Sequence, residues 1–444
     1  MHEIAAHPSA PLARRFRSAA GEHLLVIPFS RIFDLPEGGA EEPADDGLSR
    51  SPWLTALAVP TAGEVPLEHT PEPNPQNLSL NVSSTCNLSC GYCYAARGAF
   101  GGAQPKPMPW STAKAAIDRL LSQAERARPV TVGFLGGEPF ANRPLIHRCV
   151  EYAVKQGAQL GFDVRFSVTT NGTLLRSADL ELLRAHPFAV TVSLDGGSQV
   201  QDAQRPNHRS GSGSWHAATE RISELLKSPG LARITARATV TRHNLDVKER
   251  LDAIAAVGFT DVGFSPLRVG PADAGALNGE DWGVYLAAMV DAASSEISRA
   301  QSGRSVRLGN LLVAMRQIHA GASSPYPCGA GGGYFSVAAD GKWYACHRAI
   351  GDEAYALGDN TELDLAKRRA FIRARHVHAQ TDCRNCWARY LCSGGCHQEA
   401  AARTQSSCDF IRGWLDFCLK TYCEIGPVVL RAQAAAADCG ELVS

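Results

Sequence analysis

The chain has 444 residues, a length that suits about three domains, and its 45% hydrophobic content is enough to build sizeable cores. Lys plus Arg and Asp plus Glu both number 44, so bulk charge does not hold it to nucleic acid, and no apolar run reaches the roughly 18–20 residues of a membrane span. Fourteen cysteines in a long chain whose first residues lack an apolar signal core argue against a disulfide scaffold. The expectation is a cytoplasmic protein whose thiolates hold metal.

In chain order, residues 15–38 read as a small β-hairpin, with the apolar run Leu24–Ile27 and the pair Ile32–Phe33 separated by Pro28 and Ser30. Residues 36–76 are rich in Pro, Glu, Ala and Gly and read as linker, with one short helix around Trp53 to Leu57. From Asn77 to Leu267 six strand-like runs alternate with helical ones, among them "VTVGFL", "DVRFSVTT" and "AVTVSLDG". Ser111 and Ser177 are placed to cap two of the helices, and Gly157 to end a third. The alternation predicts an α/β fold, a partial, TIM-like (β/α)6 barrel with chemistry at the C-terminal strand ends. Residues 271–320 read as mostly helical. A hairpin is expected to turn at Asp340-Gly341, and one or two helices to close the chain.

Cys86, Cys90 and Cys93 stand in the spacing C-x3-C-x2-C just past the first strand of the barrel. Three thiolates on a short loop can hold three irons of a four-iron cluster and leave one iron open to a small molecule. A zinc loop is the plainer alternative, but no fourth ligand pair follows closely. Gly136-Gly137-Glu138-Pro139, Thr169-Thr170-Asn171-Gly172 and Ser193-Leu194-Asp195-Gly196 follow the next three strands. Singly each is an ordinary tight turn; together they sit where barrel chemistry converges.

At these residues the chain resembles the radical SAM enzymes. The resemblance implies a 4Fe-4S cluster on Cys86, Cys90 and Cys93, whose open iron chelates S-adenosylmethionine and yields a 5′-deoxyadenosyl radical on reduction. It places Gly136, Gly137 and Glu138 at the methionyl amino group, and Thr170, Asn171, Ser193 and Asp195 near the ribose and methionyl parts. Tyr92 then packs near the adenine, and Arg205 contacts the carboxylate. Gln201 stands where relatives carry His, so any role of that His is lost.

The C-terminal cysteines follow a longer pattern: Cys328, twelve residues, Gly341, four residues, Cys346, then Cys383-x2-Cys386-x5-Cys392-x3-Cys396-x11-Cys408. This resembles the SPASM domain, the extension of peptide- and protein-modifying radical SAM enzymes. The resemblance implies two auxiliary iron–sulfur clusters of the 4Fe-4S kind. Cys328, Cys346 and Cys396 hold the first; Cys383, Cys386, Cys392 and Cys408 hold the second. A double zinc site is the alternative. Some relatives, anaerobic sulfatase maturases among them, carry a further Cys between the first two; here there is none between Cys328 and Cys346. An open iron able to take a substrate thiolate is one consequence, and Cys418 or Cys423 is a competing filler. His347 and His397 adjoin cluster cysteines and are expected to pack or to orient them. Cys149 is expected to be a buried small hydrophobe, and Cys439 to be incidental in the tail.

The domains expected are 1–75, a hairpin and linker resembling a truncated leader-binding domain; 76–320, a radical SAM core; 321–430, a SPASM domain; and 431–444, a tail. "Phe100-Gly101-Gly102" and the run from Cys386 to His397 resemble quinohemoprotein amine dehydrogenase maturases and, more loosely, ranthipeptide and sactipeptide maturases. The implied function is an oxidoreductase that installs a Cys-to-carbon thioether in a ribosomally made peptide, with flavodoxin or ferredoxin as reductant and no membrane or nucleic-acid partner. The alternatives are formylglycine formation, carbon–carbon crosslinking, and a non-enzymatic iron–sulfur or zinc peptide-binding scaffold. No general base is assigned.

Overall fold

The computed structural model describes residues 11–36, 73–100, 106–268, 275–321 and 323–441. The expected helix at Trp53–Leu57 lies outside them. The N-terminal segment is a three-stranded antiparallel sheet: β1 (Ala13–Ser18), β2 (Gly21–Val26) and β3 (Arg31–Asp34), in that order. The sequence predicts two strands. Ser30, at φ 50°, closes a 3-10 turn after β2 and brings a third strand back.

The core is six parallel strands, β4 (Asn77–Ser83), β5 (Val130–Gly136), β6 (Val164–Thr170), β7 (Phe188–Ser193), β8 (Arg233–Val240) and β9 (Val262–Pro266), paired in sequence order. Helices α1 (Trp110–Gln123), α2 (Arg143–Leu160), α3 (Ser177–Ala185), α4 (Ser198–Gln204), α5 (Trp215–Lys227) and α6 (Val247–Ala256) connect them. This is the expected open α/β barrel. Its strands bury Leu80, Val132, Phe134, Phe166, Val168, Val190 and Val192, each worth about 1.5–3 kcal/mol when removed from water. Phe134, Phe166 and Phe188 stack across three neighbouring strands.

Three local expectations give way. α1 begins at Trp110 behind Pro109, with Ser111 inside it rather than capping it. α3 is capped from Arg176, whose backbone N–H donates to Asp179, so Ser177 is its first residue. α2 runs through Gly157 to a left-handed Gly161. A Cβ on Gly157 would come within 2.2 Å of Val164 Cγ2, so this glycine admits β6 against the helix and does not end it.

Two further helices, α7 (Asp281–Gln301) and α8 (Gly309–Ala320), follow the barrel. Strand β10 (Tyr334–Val337) then pairs parallel with β4, and β11 (Lys342–Tyr344) and β12 (Ala356–Asp359) extend the same sheet to nine strands. The hairpin turns at Gly341, φ 91°. α9 (Leu365–Arg375), short helices at Thr381–Arg384 and Arg389–Cys392, and one long helix α10 (Gln405–Glu441) complete the chain. α10 packs on α7 and α8 and anchors the N-terminal sheet, where Arg14 pairs with Asp416 and lies over Trp387. Among the described residues no helix is long and apolar enough to cross a membrane.

Candidate active site and cysteine centres

Four strand ends build the first site. Cys86, Cys90 and Cys93 occupy the loop after β4; beyond burial, Cys90 and Cys93 raise the Cys86 thiol and Cys93 raises that of Cys90, so the three sulfurs are neighbours. The two glycines ending β5 are sterically required. A Cβ on Gly136 (φ 153°) would lie 2.3 Å from the Ser83 carbonyl oxygen, and one on Gly137 would lie 2.4 Å from that of Thr85. The backbone N–H groups of Gly137 and Glu138 donate to those same carbonyls at 2.8 and 2.9 Å, fastening the β5 turn to the cysteine loop.

Glu138 is fully buried. Its carboxylate accepts from Thr170 Oγ1 at 2.7 Å, Asn171 N at 2.8 Å and Phe140 N at 3.1 Å, and so ties the β5 end to the β6 end. Burial pushes this carboxyl up to about 7 despite those donors. Asn171 Nδ2 lies 3.7 Å from Cys86 Sγ. Asp195, at the end of β7, is fully buried and accepts a bidentate pair from Arg205 at 2.9 and 3.0 Å, with further donors from Tyr92 OH and Thr239 N. Arg205 Nη1 is left facing Cys90 Sγ at 4.0 Å. Gln201 is a working part of this site. Its Oε1 accepts from Asp195 N at 2.9 Å and its Nε2 donates to Ser214 at 3.2 Å. Ser193 is half-buried in its strand.

The C-terminal cysteines fall into two groups. Cys346 is coupled electrostatically to Cys396 and Cys328; Cys392 is coupled to Cys383, Cys386 and Cys408. The second group borders a cavity of about 420 Å³ that also reaches Arg237 and Phe264 at the barrel mouth. Burial pushes the free Cys346 and Cys392 thiols up to about 11 and that of Cys86 to about 12. Deprotonation on metal binding must therefore overcome that burial cost. Cys418 and Cys423 do not fill the first group. Cys418 is buried in α10 and its shift comes from burial alone, while Cys423 faces Asp34 and Glu424. Cys149 is buried in α2, as expected.

Several donors aimed at these sulfurs are invisible in the cysteine spacing. Arg375 Nη2 lies 3.4 Å from Cys328, Arg348 Nη1 3.7 Å from Cys396, and Arg403 Nη1 3.2 Å from Cys383, and Arg412 donates to Cys386. Backbone N–H groups of Leu88, Arg97 and Arg348 point at Cys86, Cys93 and Cys346 at 3.2–3.4 Å. Donors converging on sulfur are what thiolate-held iron–sulfur clusters need. Among the described residues no three His, Cys, Asp or Glu side chains converge on one metal ion. In a four-iron cluster each thiolate takes its own iron.

Comparison with known proteins agrees with this geometry. Residues 80–228 match the family model of the radical SAM superfamily. A serine-type anaerobic sulfatase-maturating enzyme of Klebsiella aerogenes is 26% identical over 80% of this chain and 88% of its own. Among solved structures, native anSMEcpe with bound AdoMet superposes with a TM-score of 0.67 at 19% identity, covering 80% of this chain and all of that one. The same protein with AdoMet and the Cp18Cys peptide gives 0.66 at 20%, covering 80% of this chain and 99% of that one. The fold and the match over residues 80–228 mark the chain as an enzyme that carries a radical SAM domain, with S-adenosylmethionine and a 4Fe-4S cluster as cofactors. The Cys-rich C-terminal region falls within the part of the chain that superposes on anSMEcpe.

Proposed function

We infer that this enzyme is a maturase that joins a cysteine sulfur to a carbon of another residue in a ribosomally made peptide or small protein. S-adenosylmethionine on the reduced cluster supplies a radical able to remove a hydrogen atom from an unactivated C–H bond. Cys86, Cys90 and Cys93 are the residues to hold that cluster, with Asn171 and Arg205 beside their sulfurs. The buried Glu138 and Asp195 keep the strand ends in register around it. In the product one C–H and one S–H bond are exchanged for a C–S bond. The peptide gives up a hydrogen atom, a proton and an electron, and in this reading a cluster on the C-terminal cysteines takes the electron.

The observation that carries the thioether reading is the first auxiliary group. It brings three thiols together, and no fourth thiol of the described residues joins them. A substrate sulfur is a ligand such a site can take. That a relative superposing over most of the chain was solved with a peptide supports a peptide substrate.

The sulfatase-maturating relative favours a second reading, oxidation of a Ser or Cys to formylglycine. One experiment separates the two: anaerobic co-expression with each small Cys-containing open reading frame beside the gene, followed by intact mass and thiol count. Loss of two hydrogens with one alkylatable thiol gone per event is the thioether result. Loss of two hydrogens with every thiol free and a hydrazine-reactive aldehyde gained would overturn it in favour of serine oxidation.

A further inference from the structure

His397 follows Cys396 and opens the 3-10 turn His397–Ala402. Both of its ring nitrogens are shut off from solvent, and neither has a hydrogen-bond partner among the described residues. Leaving a buried polar group unpaired costs about 1–3 kcal/mol, and here one ring carries two such atoms. His347, by contrast, bonds through Nδ1 to Tyr334 OH at 2.9 Å. Of the two expectations, packing or orienting a cysteine, His397 meets the packing one, and among the described residues it has no hydrogen bond through which to orient a cysteine.

The surroundings of His397 place it at the first auxiliary group. Its ring lies 5.2 Å from Phe371 and 5.5 Å from Tyr355, centroid to centroid, so aromatic faces wall it on two sides. Its charged and polar neighbours are Arg375, Arg348 and His347. Arg375 donates to Cys328, Arg348 donates to Cys396, and His347 follows Cys346 in the chain. Each of the three cysteines thus supplies one neighbour of the imidazole. Tyr355 senses both Cys346 and Cys396. A neutral imidazole with a free lone pair, next to three thiolates that leave one iron short of a ligand, is a donor of the right chemistry. Histidine ligates iron–sulfur clusters elsewhere and raises their potential relative to an all-thiolate set.

We propose that His397 supplies a nitrogen ligand to the fourth iron of the first auxiliary cluster, a position for which a substrate thiolate then competes. In the exchange an iron–nitrogen bond is replaced by an iron–sulfur bond, the thiol proton passes to water, and no electron moves. The competition half rests on the thioether reading; the ligation half does not.

The test uses the full-length chain with Cys86, Cys90 and Cys93 replaced by Ala, which leaves the auxiliary clusters alone to be observed. The chain is prepared with natural-abundance or 15N-labelled histidine, reduced, and examined by pulsed EPR. The expected result is a directly bound nitrogen coupling that changes with the label, persists in His347→Gln and disappears in His397→Gln at unchanged iron content. No label-sensitive coupling in the chain with His397 intact would overturn ligation, without recourse to any His397 variant. Excess N-acetylcysteine amide should remove the coupling, and N-acetylserine amide should leave it. A coupling indifferent to both would overturn competition while ligation stands. A thioether product without any nitrogen coupling would overturn ligation while the function stands.

Discussion

Cys86, Cys90 and Cys93 lie on one loop of eight residues, and the Arg205 guanidinium beside Cys90 is already held bidentate by Asp195. The C-terminal cysteines come from well-separated segments and meet four guanidiniums. Arg348 and Arg412 are shared with Glu399 and Asp409. Arg375 and Arg403 instead bond to the carbonyls of Ala330 and Gly394 and to Gln380 Oε1, so more of their charge falls on Cys328 and Cys383. Positive charge and N–H donors at sulfur favour the reduced cluster. On the proposed assignment, clusters held by the C-terminal cysteines should have the higher potentials and the barrel cluster the lower one. The two regions share one sheet through β10 and β4, which fixes their separation.

The largest expected effect comes from emptying one region at a time. Replacing Cys86, Cys90 and Cys93 with Ala should remove about four irons per chain and abolish S-adenosylmethionine cleavage. Cys328→Ala should leave cleavage standing and impair product formation. Iron analysis and the yield of 5′-deoxyadenosine check both, and cleavage by the triple variant would dissolve the distinction.

Next in size is Gly136→Ala. The new methyl meets the Ser83 carbonyl at 2.3 Å on a backbone at φ 153°. A loss of roughly 3 kcal/mol or more is expected, read as a lowered denaturation midpoint. Gly279, which has open space at its Cβ position, is the control.

A smaller effect sharpens the electrostatic contrast. Arg403→Gln removes a charged donor 3.2 Å from Cys383 and should lower one auxiliary potential by on the order of 50 mV, with the barrel cluster unmoved. Potentiometric EPR titration would detect the shift, and an equal shift of all clusters would contradict a local cause.

A separate test, in pH, concerns Glu138. Its folded-state carboxyl titrates near 7, above the ordinary 4.5, because burial disfavours the charge. Its contribution to stability is full below about 4.5 and is lost as pH rises through 7, by on the order of 3 kcal/mol. Glu138→Gln should flatten that part of the profile, so the stability of the parent relative to the variant should fall between pH 4.5 and 7 in denaturant titrations. A pH-independent difference would place the carboxylate in an unburied setting.

The sequence by itself carried the alternating strands and helices, because period-2 and period-3.6 burial patterns are local. It carried the four strand-end motifs for the same reason: Gly136 and Gly137 are the residues a close backbone approach permits, and Cys86 to Cys93 fit one loop. The division of the C-terminal cysteines came from resemblance; in the folded chain Cys346 senses Cys396 and Cys328, and Cys392 senses Cys383, Cys386 and Cys408. Helix ends were less legible. Ser111 and Ser177 are good caps in isolation, yet the helices are capped two and one residues earlier, at Pro109 and Arg176, and Gly157 answered to Val164 of a neighbouring strand. Only the tertiary structure decided that β10 continues the barrel sheet, that Arg348, Arg375, Arg403 and Arg412 reach the sulfurs, and that His397 has no hydrogen-bond partner among the described residues. An arginine several residues from a cysteine in sequence carries no sign of which sulfur it will meet. A histidine's want of a ligand exists only once the chain has closed around it and shut out the water that would otherwise have satisfied it.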